Sequence, residues 1–256
     1  MRQFSYSAAP MSEVEHSLDT ILDRGTVRIS ATWDKSWEQY LDPNTGRPSG
    51  MVGLVGQQLA SDLGVEPEFV HSAWSEQLSN LGEGLVDVCL KHTNLPNRAV
   101  QVRFVSTPLL SYRGVIFVHD AVGDIGVAEF ARSKSGRFAV TRGSLHGELA
   151  AEVLPRWERV ETASASESLE SLLVSQVDAV VTDDIVTNPQ GTHPLRSPGG
   201  EDVVISRDAS YPSVRHRDES WFRWVENWMR YTRTQGTLDK LIHQSKTDYS
   251  SVAESF

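Results

Sequence analysis

Cationic and hydrogen-bonding residues directly follow an apolar segment in the stretch VDVCLKHTNLPNR, residues 86–98. The first part has the composition of a buried strand. Lys91, His92, Thr93 and Arg98 then follow without an intervening Gly-Gly or Asn-Gly turn. One interpretation is that the strand ends at a ligand, which these groups would bind. The alternative is a polar loop in solvent, since strands commonly end at the surface.

The composition is that of a soluble globular protein of one or two domains. The chain has 256 residues, of which 39% are apolar and 23% charged, and its net charge is −10. We expect no nucleic-acid partner, because such partners require a basic surface. The single cysteine, Cys89, is expected to be an inert core thiol and cannot form an intrachain disulfide. The scattered histidines show no metal-binding spacing, so the sequence predicts no metal and no cofactor.

The N-terminal segment, MRQFSYSAAPMSEVEHSLDT, lacks the apolar region of a secretory signal peptide. No apolar run of about 18 residues occurs elsewhere, so no membrane insertion is expected. A second methionine, Met11, precedes an acidic polar stretch, which favours a native start without a leader. We therefore expect a cytoplasmic protein, unless a leader has been removed.

Strand-like and helix-like segments alternate, and the pattern then restarts. A helix stopping at Gly25 precedes TVRISAT, a helix stopping at Gly64 precedes PEFVH, and SAWSEQLSNLGEG precedes LVDVCL. The second half has the strand GRFAVT, a Gly-Ser turn with a helix, the strand WERVETA, the helix SESLESLLVSQ and the strand VDAVVTDD. This alternation predicts an α/β protein with a largely parallel sheet.

The C-terminal part is different in character. Residues 188–202 are rich in Pro and Gly and predict a loop, with strands near 203–206 and 212–216 after it. A long helix is predicted over 218–235, and its apolar stripe is a core face rather than a cofactor site: Trp221, Trp224, Val225, Trp228. We then expect a short helix, TLDKLIHQ, and a mobile tail, SKTDYSSVAESF.

Six stretches in this order resemble the family 3 extracellular solute-binding proteins, the amino-acid receptors of ABC importers. They are LDTILDRGTVRISAT, GRPSGMVGLVGQQLASDLGVEPEFV, W...LSNLGEGLVDVCL, NRAVQVRFVSTPLL, FAVTRGSLHGELAAEVLP and SQVDAVVTDD. The resemblance implies a type 2 periplasmic-binding-protein-like fold, in which hinge strands join two lobes around a ligand cleft. Lobe 1 would comprise residues 15–113 plus 205–256 and lobe 2 residues 114–204, with the hinge near 111–116 and 203–207.

The resemblance further implies that the cleft binds a small amino-acid-like carboxylic acid. Arg98 corresponds to the family arginine that grips the ligand carboxylate, which its planar fork can bind through two charge-assisted hydrogen bonds. Thr93 corresponds to a hydroxyl that helps to hold the ligand.

Lobe 2 would contribute the remaining contacts. Asp183 corresponds to the acid that pairs with the ligand ammonium, and Asp184 is the competing candidate. Ser144 would offer its hydroxyl and backbone N–H groups at a helix N-terminus, with Arg142 just before this turn.

Two stretches depart from the family pattern. The segment WDKSWEQY replaces a common aromatic-Pro-Phe and contains Lys35 and Trp37, which are further candidate contacts. Lys91 and His92 occupy a stretch that is usually rich in Ser, Gly and Asn. Alternation along a strand predicts that Lys91 points with Thr93 into the cleft and that His92 points away. Lys91 could then bind a second acidic group or transfer protons, and solvent exposure of both residues is the alternative.

Two functions are favoured by the sequence, and a regulatory sensor domain is a further alternative. The first is a binding module without chemistry, with a permease as partner if the protein is exported. The second is a cytoplasmic lyase on the same scaffold, related to the cyclohexadienyl dehydratases, because a closing cleft needs only one well-placed acid or base. Its catalytic residue would be Lys91, with His92, Lys35 and Asp184 as alternatives. Val186 stands where those dehydratases have a Glu, so their specific activity is not expected.

Overall fold

The computed structural model describes residues 17–119, 127–133, 135–185, 195–196 and 204–256. The first α/β half contains α1 (Ser17–Arg24), β1 (Thr26–Ala31), β2 (Tyr40–Leu41), β3 (Pro48–Ser49), α2 (Gly50–Leu63), β4 (Glu66–His71), α3 (Gln77–Gly82), β5 (Val88–Thr93), β6 (Val102–Phe104) and β7 (Leu110–His119). The second contains α4 (Val127–Ser133), β8 (Arg137–Thr141), α5 (Leu145–Val153), β9 (Glu158–Thr162), α6 (Ala165–Leu173), β10 (Ala179–Asp183) and β11 (Leu195–Arg196). The chain ends with β12 (Val204–Arg215), α7 (Glu219–Thr234) and α8 (Thr237–Val252).

The long antiparallel strands β7 and β12 connect the two halves. The main path of the sheet runs β4-β1-β5-β12-β7-β10-β8-β9. In the first half β12 pairs with β5, with Ser210 opposite Thr93, whereas in the second half β7 pairs with β10, with Gly114 opposite Asp183. The βαβ units are parallel, as predicted, and the two connecting strands supply the antiparallel pairs. The sheet is therefore continuous but curls between two lobes.

Each half has its own hydrophobic core, as two-lobed folds require. In the first half α2, α7 and α8 cover the sheet, and the core includes Ile29, Leu59 and Trp221. In the second half the core includes Phe138 and Leu154. The predicted apolar stripe of α7 is confirmed as a core face, because Trp221 and Val225 are fully buried and Trp228 is nearly so.

Cys89 lies in β5 and is fully buried, which confirms the prediction of a core thiol. Burial raises its pKa to about 12, because the thiolate would lose its hydration in the core. The thiol is therefore unreactive at neutral pH.

The C-terminal segment differs from the prediction. It forms one helix, α8, that continues to Val252, where a short helix followed by a mobile tail was expected. Ser245, Tyr249 and Val252 recur along one helical face and are buried against the first half. Phe256 also packs edge-on against Tyr40, with ring centroids 5.7 Å apart. Tertiary packing thus orders a polar sequence with little local apolar signal.

Strand β12 also differs, because it replaces the two separate strands predicted over this region. Pro212 lies where the register with β5 shifts between Tyr211 and Ser213. A bulge tolerates the missing N–H of proline, so the strand continues through it.

Of the predicted loop 188–202, only residues 195 and 196 are described, and they pair with β7. Val186 lies outside the described residues, among which no helix is long and apolar enough to span a bilayer.

Candidate ligand-binding site

A cavity lies between the two halves, at the carboxyl ends of β1, β5 and β10 and at the N-termini of α5 and α6. Open α/β sheets bind ligands at this edge. The cavity volume is about 60 Å³. Its ionisable wall residues come from both halves: Asp34, Lys91, His92, Arg98, Tyr112, His146 and Asp183.

Arg98 reaches into the cavity from the loop after β5. Its Nη1 donates to the Thr93 carbonyl at 3.2 Å, and its Nη2 donates to the Gly143 carbonyl at 2.8 Å, in the other half. No carboxylate forms an ion pair with Arg98 in the part of the chain that the structure describes. Burial lowers its pKa from the ordinary value, and Tyr112 and Glu148 partly oppose that shift. The guanidinium is therefore a half-buried cation with capacity for an external anion.

Thr93 and Tyr112 form a hydroxyl pair beside Arg98. Their oxygens lie 2.5 Å apart, and either can be the donor. Burial is the main cause that raises the pKa of Tyr112 far above its ordinary value, with Asp183 adding to the shift. Tyr112 is therefore a neutral hydroxyl that can serve a ligand as donor or acceptor.

Ser144 is the N-cap of α5 and is one of the residues that line the cavity. The buried Oγ atom makes no hydrogen bond to any described residue. Gly143 before it has φ +73, a backbone conformation that only glycine adopts without strain. The turn thus brings a free hydroxyl and the N-terminus of a helix to the cavity, a combination suited to an anion.

Asp183 and Asp184 diverge at the end of β10. Asp183 lines the cavity, and its buried Oδ1 has no hydrogen-bond partner within the described ranges. The His146 Nε2 atom lies 3.1 Å from it, within ion-pair distance but without hydrogen-bond geometry. Asp184 instead accepts hydrogen bonds from the Arg113 backbone N–H at 2.9 Å and from its Nε at 2.6 Å. Of the two neighbours, Asp183 is the one that faces the cavity.

Lys91 also lines the cavity, but it has a partner that sequence reasoning missed. Its Nζ lies 2.6 Å from Oε2 of Glu38, whose side chain is only 2% exposed. Burial raises the pKa of Glu38, and the nearby Lys91 ammonium opposes this shift. The only sequence signal for the pair was an acid within WDKSWEQY, the segment that departs from the family pattern.

His92 occupies the cavity wall as well, although it was expected to point away. Its ring stacks on Trp74, with centroids 4.0 Å apart, and Nε2 lies 2.9 Å from Gln77 Oε1. The ring therefore faces the interior of the first half and the cavity together. Burial, helped by Arg98 and Lys91, lowers its pKa well below 6.5.

Three residues predicted for the site lie elsewhere. Lys35 is exposed and donates to the carbonyl of Phe256 at 3.3 Å. Trp37 is buried in the first core and donates its indole N–H to the Ile185 carbonyl at 2.7 Å. Arg142 points into solvent and pairs with Glu161. Each is thus held by contacts outside the cavity.

The five other predicted residues meet on the cavity wall: Lys91, Thr93, Arg98, Ser144 and Asp183. Their contacts with a ligand remain predictions.

Residues 29–245 match the sequence family described as bacterial extracellular solute-binding proteins, family 3. The chain belongs to this family. Among curated protein sequences, none matches it significantly.

Solved structures share the fold of this family 3 solute-binding protein. An ancestral amino-acid-binding protein, a precursor of cyclohexadienyl dehydratase, is 26% identical with a TM-score of 0.76, over 89% of this chain and 98% of that chain. A cysteine-binding protein from Campylobacter jejuni is 18% identical with a TM-score of 0.77, over 91% of this chain and 94% of that one. A substrate-binding protein of an amino acid ABC transporter from Streptococcus pneumoniae, bound to L-arginine, is 17% identical with a TM-score of 0.76, over 90% and 98%.

Proposed function

We propose that this family 3 solute-binding protein binds a free amino acid in the cavity between its halves and does not convert it chemically. One observation carries the proposal. Arg98, a cation without a described acidic partner, and Asp183, whose buried Oδ1 has no described hydrogen-bond partner, line the same cavity from opposite halves. A zwitterion would pair its carboxylate with Arg98 and its ammonium with Asp183.

The neighbouring groups suit this orientation. Thr93 and Ser144 bring hydroxyls beside the proposed carboxylate position, and the N-terminus of α5 adds a favourable dipole. Because Arg98 and Asp183 are partly buried, little water screens them, and their attraction to the charged ends of a ligand is stronger than at the surface. A ligand that bridges the two would hold both halves together, as in other hinged binding proteins.

The size of the cavity points to a small ligand. A cavity of about 60 Å³ between the halves suits a single free amino acid better than a peptide. The related structures, described as amino-acid-binding proteins, support the same ligand class.

The lyase alternative has less support. Lys91, its candidate catalytic group, lines the cavity, but its ammonium is ion-paired with buried Glu38. This pairing favours the charged form of Lys91, which cannot act as a general base. Relatives of this chain are substrate-binding proteins of amino acid ABC transporters. We therefore propose a permease as the partner, provided that the protein is exported.

A thermal-shift screen of the twenty standard amino acids tests the proposed function. We expect at least one to raise the melting temperature in proportion to the logarithm of its concentration, because a ligand of the folded state stabilises it. Arg98→Ala should abolish the shift. NMR spectra of the protein with the bound amino acid should show no new product over hours. An absence of shifts for all twenty, or the formation of a product, would contradict the proposal.

A further inference from the structure

We propose that His92 and Lys91 form a subsite for the ligand side chain, and that this subsite selects amino acids with a neutral carboxamide, the class of asparagine and glutamine. The inference rests on the proposed function, because it takes the α-carboxylate and α-ammonium to be bound by Arg98 and Asp183. The inference adds recognition of the ligand side chain, the part that distinguishes one amino acid from another.

A hydrogen-bond chain determines which nitrogen of His92 carries the proton. The Thr32 hydroxyl donates to the Ser72 carbonyl at 2.7 Å, so its oxygen can only accept from Gln77 Nε2, which lies 2.8 Å away. The Gln77 amide is thereby oriented with Oε1 toward His92 Nε2, at 2.9 Å. A flipped amide would place Oε1 against a hydroxyl whose hydrogen is already donated. His92 Nε2 must therefore be the protonated nitrogen.

The other nitrogen of His92, Nδ1, is then a bare acceptor. It is buried, His92 as a whole is 2% exposed, and no described residue donates to Nδ1. His92 lies on the cavity wall, where stacking on Trp74 restrains its ring. Because burial and two nearby cations lower its pKa well below 6.5, the imidazole stays neutral and keeps this lone pair. An unmet buried acceptor costs free energy until a donor reaches it.

Lys91 supplies the complementary donor. Its Nζ lies 2.6 Å from Glu38 Oε2 and 5.6 Å from the centroid of the Trp74 ring, on which His92 also stacks. The ammonium has three hydrogens, of which Glu38 needs only one. A carboxamide can accept from Lys91 through its oxygen and donate to His92 through its nitrogen, which satisfies both groups.

Charged side chains fit this subsite less well. Buried Glu38 already compensates the charge of Lys91, so an ionised carboxylate would find no net positive charge there and would meet the lone pair of His92. A cationic side chain would meet Lys91. The remaining acid on the wall, Asp34, lies at the N-terminus of α6, where its Oδ2 is 3.4 Å from the Ser166 backbone nitrogen and the helix dipole offsets its charge.

Isothermal titration of the unmodified protein with near-isosteric amino acids tests the selection. Asparagine should bind at least about tenfold more tightly than leucine or aspartate, and glutamine more tightly than methionine or glutamate by a similar factor, as expected for one or two buried hydrogen bonds. Equal or tighter binding of leucine, aspartate, lysine or arginine would overturn the subsite. If alanine still binds in a manner that requires Arg98, the proposed function survives that result.

The variant His92→Phe keeps an aromatic ring against Trp74 but removes the acceptor. It should reduce the preference for asparagine over leucine to near unity while alanine binding persists. Since loss of the Gln77 hydrogen bond could impair folding, ¹⁵N NMR of the histidine rings in the unmodified protein provides a second test. Nε2 of His92 should be protonated throughout, and the Nδ1 resonance should shift with asparagine or glutamine but not with alanine. A proton on Nδ1, or an unchanged Nδ1 resonance, would overturn the proposal.

Discussion

The Nη2 atom of Arg98 donates a hydrogen bond to the Gly143 carbonyl at 2.8 Å and so joins the two halves across the cavity. The halves approach closely there, since a Cβ atom on Gly143 would lie 3.3 Å from the Ser75 side chain. The residue proposed to bind the ligand carboxylate therefore also contacts the opposite half. Ligand binding and lobe contact share one side chain, and substitutions of Arg98 should affect both.

Replacement of Arg98 by lysine keeps the charge but removes the planar fork. We expect amino-acid affinity to fall by about 1.5–3 kcal/mol, the range for hydrogen bonds to charged groups, as measured by isothermal titration. Arg142→Lys is the matched control, because Arg142 is exposed and pairs with Glu161 outside the cavity. An Arg98→Lys protein with unchanged affinity would remove Arg98 from the site.

Substitutions of the neighbours Asp183 and Asp184 should have different effects, the first on ligand affinity and the second on the stability of the fold. Asp183→Asn removes the charge proposed to hold the ligand ammonium, so titration should show a loss of binding. Asp184→Asn should instead weaken the contact with Arg113 and lower the free energy of unfolding, with affinity nearly unchanged. Intact binding in Asp183→Asn together with lost binding in Asp184→Asn would reverse this assignment.

The fold was largely predictable because its signals are local. Gly25 and Gly64 end their helices with φ of +70 and +79, as the sequence indicates, and the alternation of strands and helices predicts the parallel pairs. The continuous helix α8 was not predictable, since Tyr249 and Val252 gain their role only from packing against the first half.

The candidate site likewise contains residues that the sequence predicted and contacts that it could not predict. Arg98, Thr93, Ser144 and Asp183 follow from the family resemblance, and all four line the cavity. The pairing of Glu38 with Lys91 joins segments from different parts of the chain, and no periodic pattern links them. The exclusion of Trp37 from the cavity likewise depends on a contact with Ile185 that only the folded chain creates.

The Lys91–Glu38 pair predicts a strong dependence of stability on both partners. Lys91→Met leaves a buried carboxylate without its cation, which should cost about 3–5 kcal/mol in urea unfolding. Adding Glu38→Gln to that variant should restore most of the loss, because the uncompensated charge is gone. Lys240→Met, at an exposed position, is the control and should change stability by less than about 0.5 kcal/mol. Equal stability of the single and double variants would contradict the predicted cost of an unpaired Glu38 carboxylate.

The neutral state of His92 predicts a specific pH dependence. Its pKa is well below 6.5 in the folded protein, so below pH 6.5 the unfolded chain binds a proton that the folded chain does not. The stability associated with His92 is therefore full above pH 6.5 and falls as the pH decreases, by up to about 1.4 kcal/mol per pH unit. The raised pKa of Glu38 acts with the opposite sign, so only a comparison of variants isolates His92.

Urea unfolding between pH 5 and pH 7.5 checks this dependence. His92→Gln should lose less stability than the unmodified protein as the pH falls, whereas the exposed control His243→Gln should not differ in this respect. Parallel pH profiles for His92→Gln and the unmodified protein would mean that His92 takes up a proton in the folded state.

Recognition of both ends of a free amino acid is the central claim, and titration with blocked ligands tests it most directly. The best amino acid from the thermal-shift screen is compared with its carboxamide derivative, which lacks the α-carboxylate charge, and with its N-acetyl derivative, which lacks the ammonium. We predict that the free amino acid binds and that each blocked form loses at least about 1.5 kcal/mol, the lower range for a charged hydrogen bond. Equal binding of either blocked form would contradict the assignment of Arg98 and Asp183 to the two ends of the ligand.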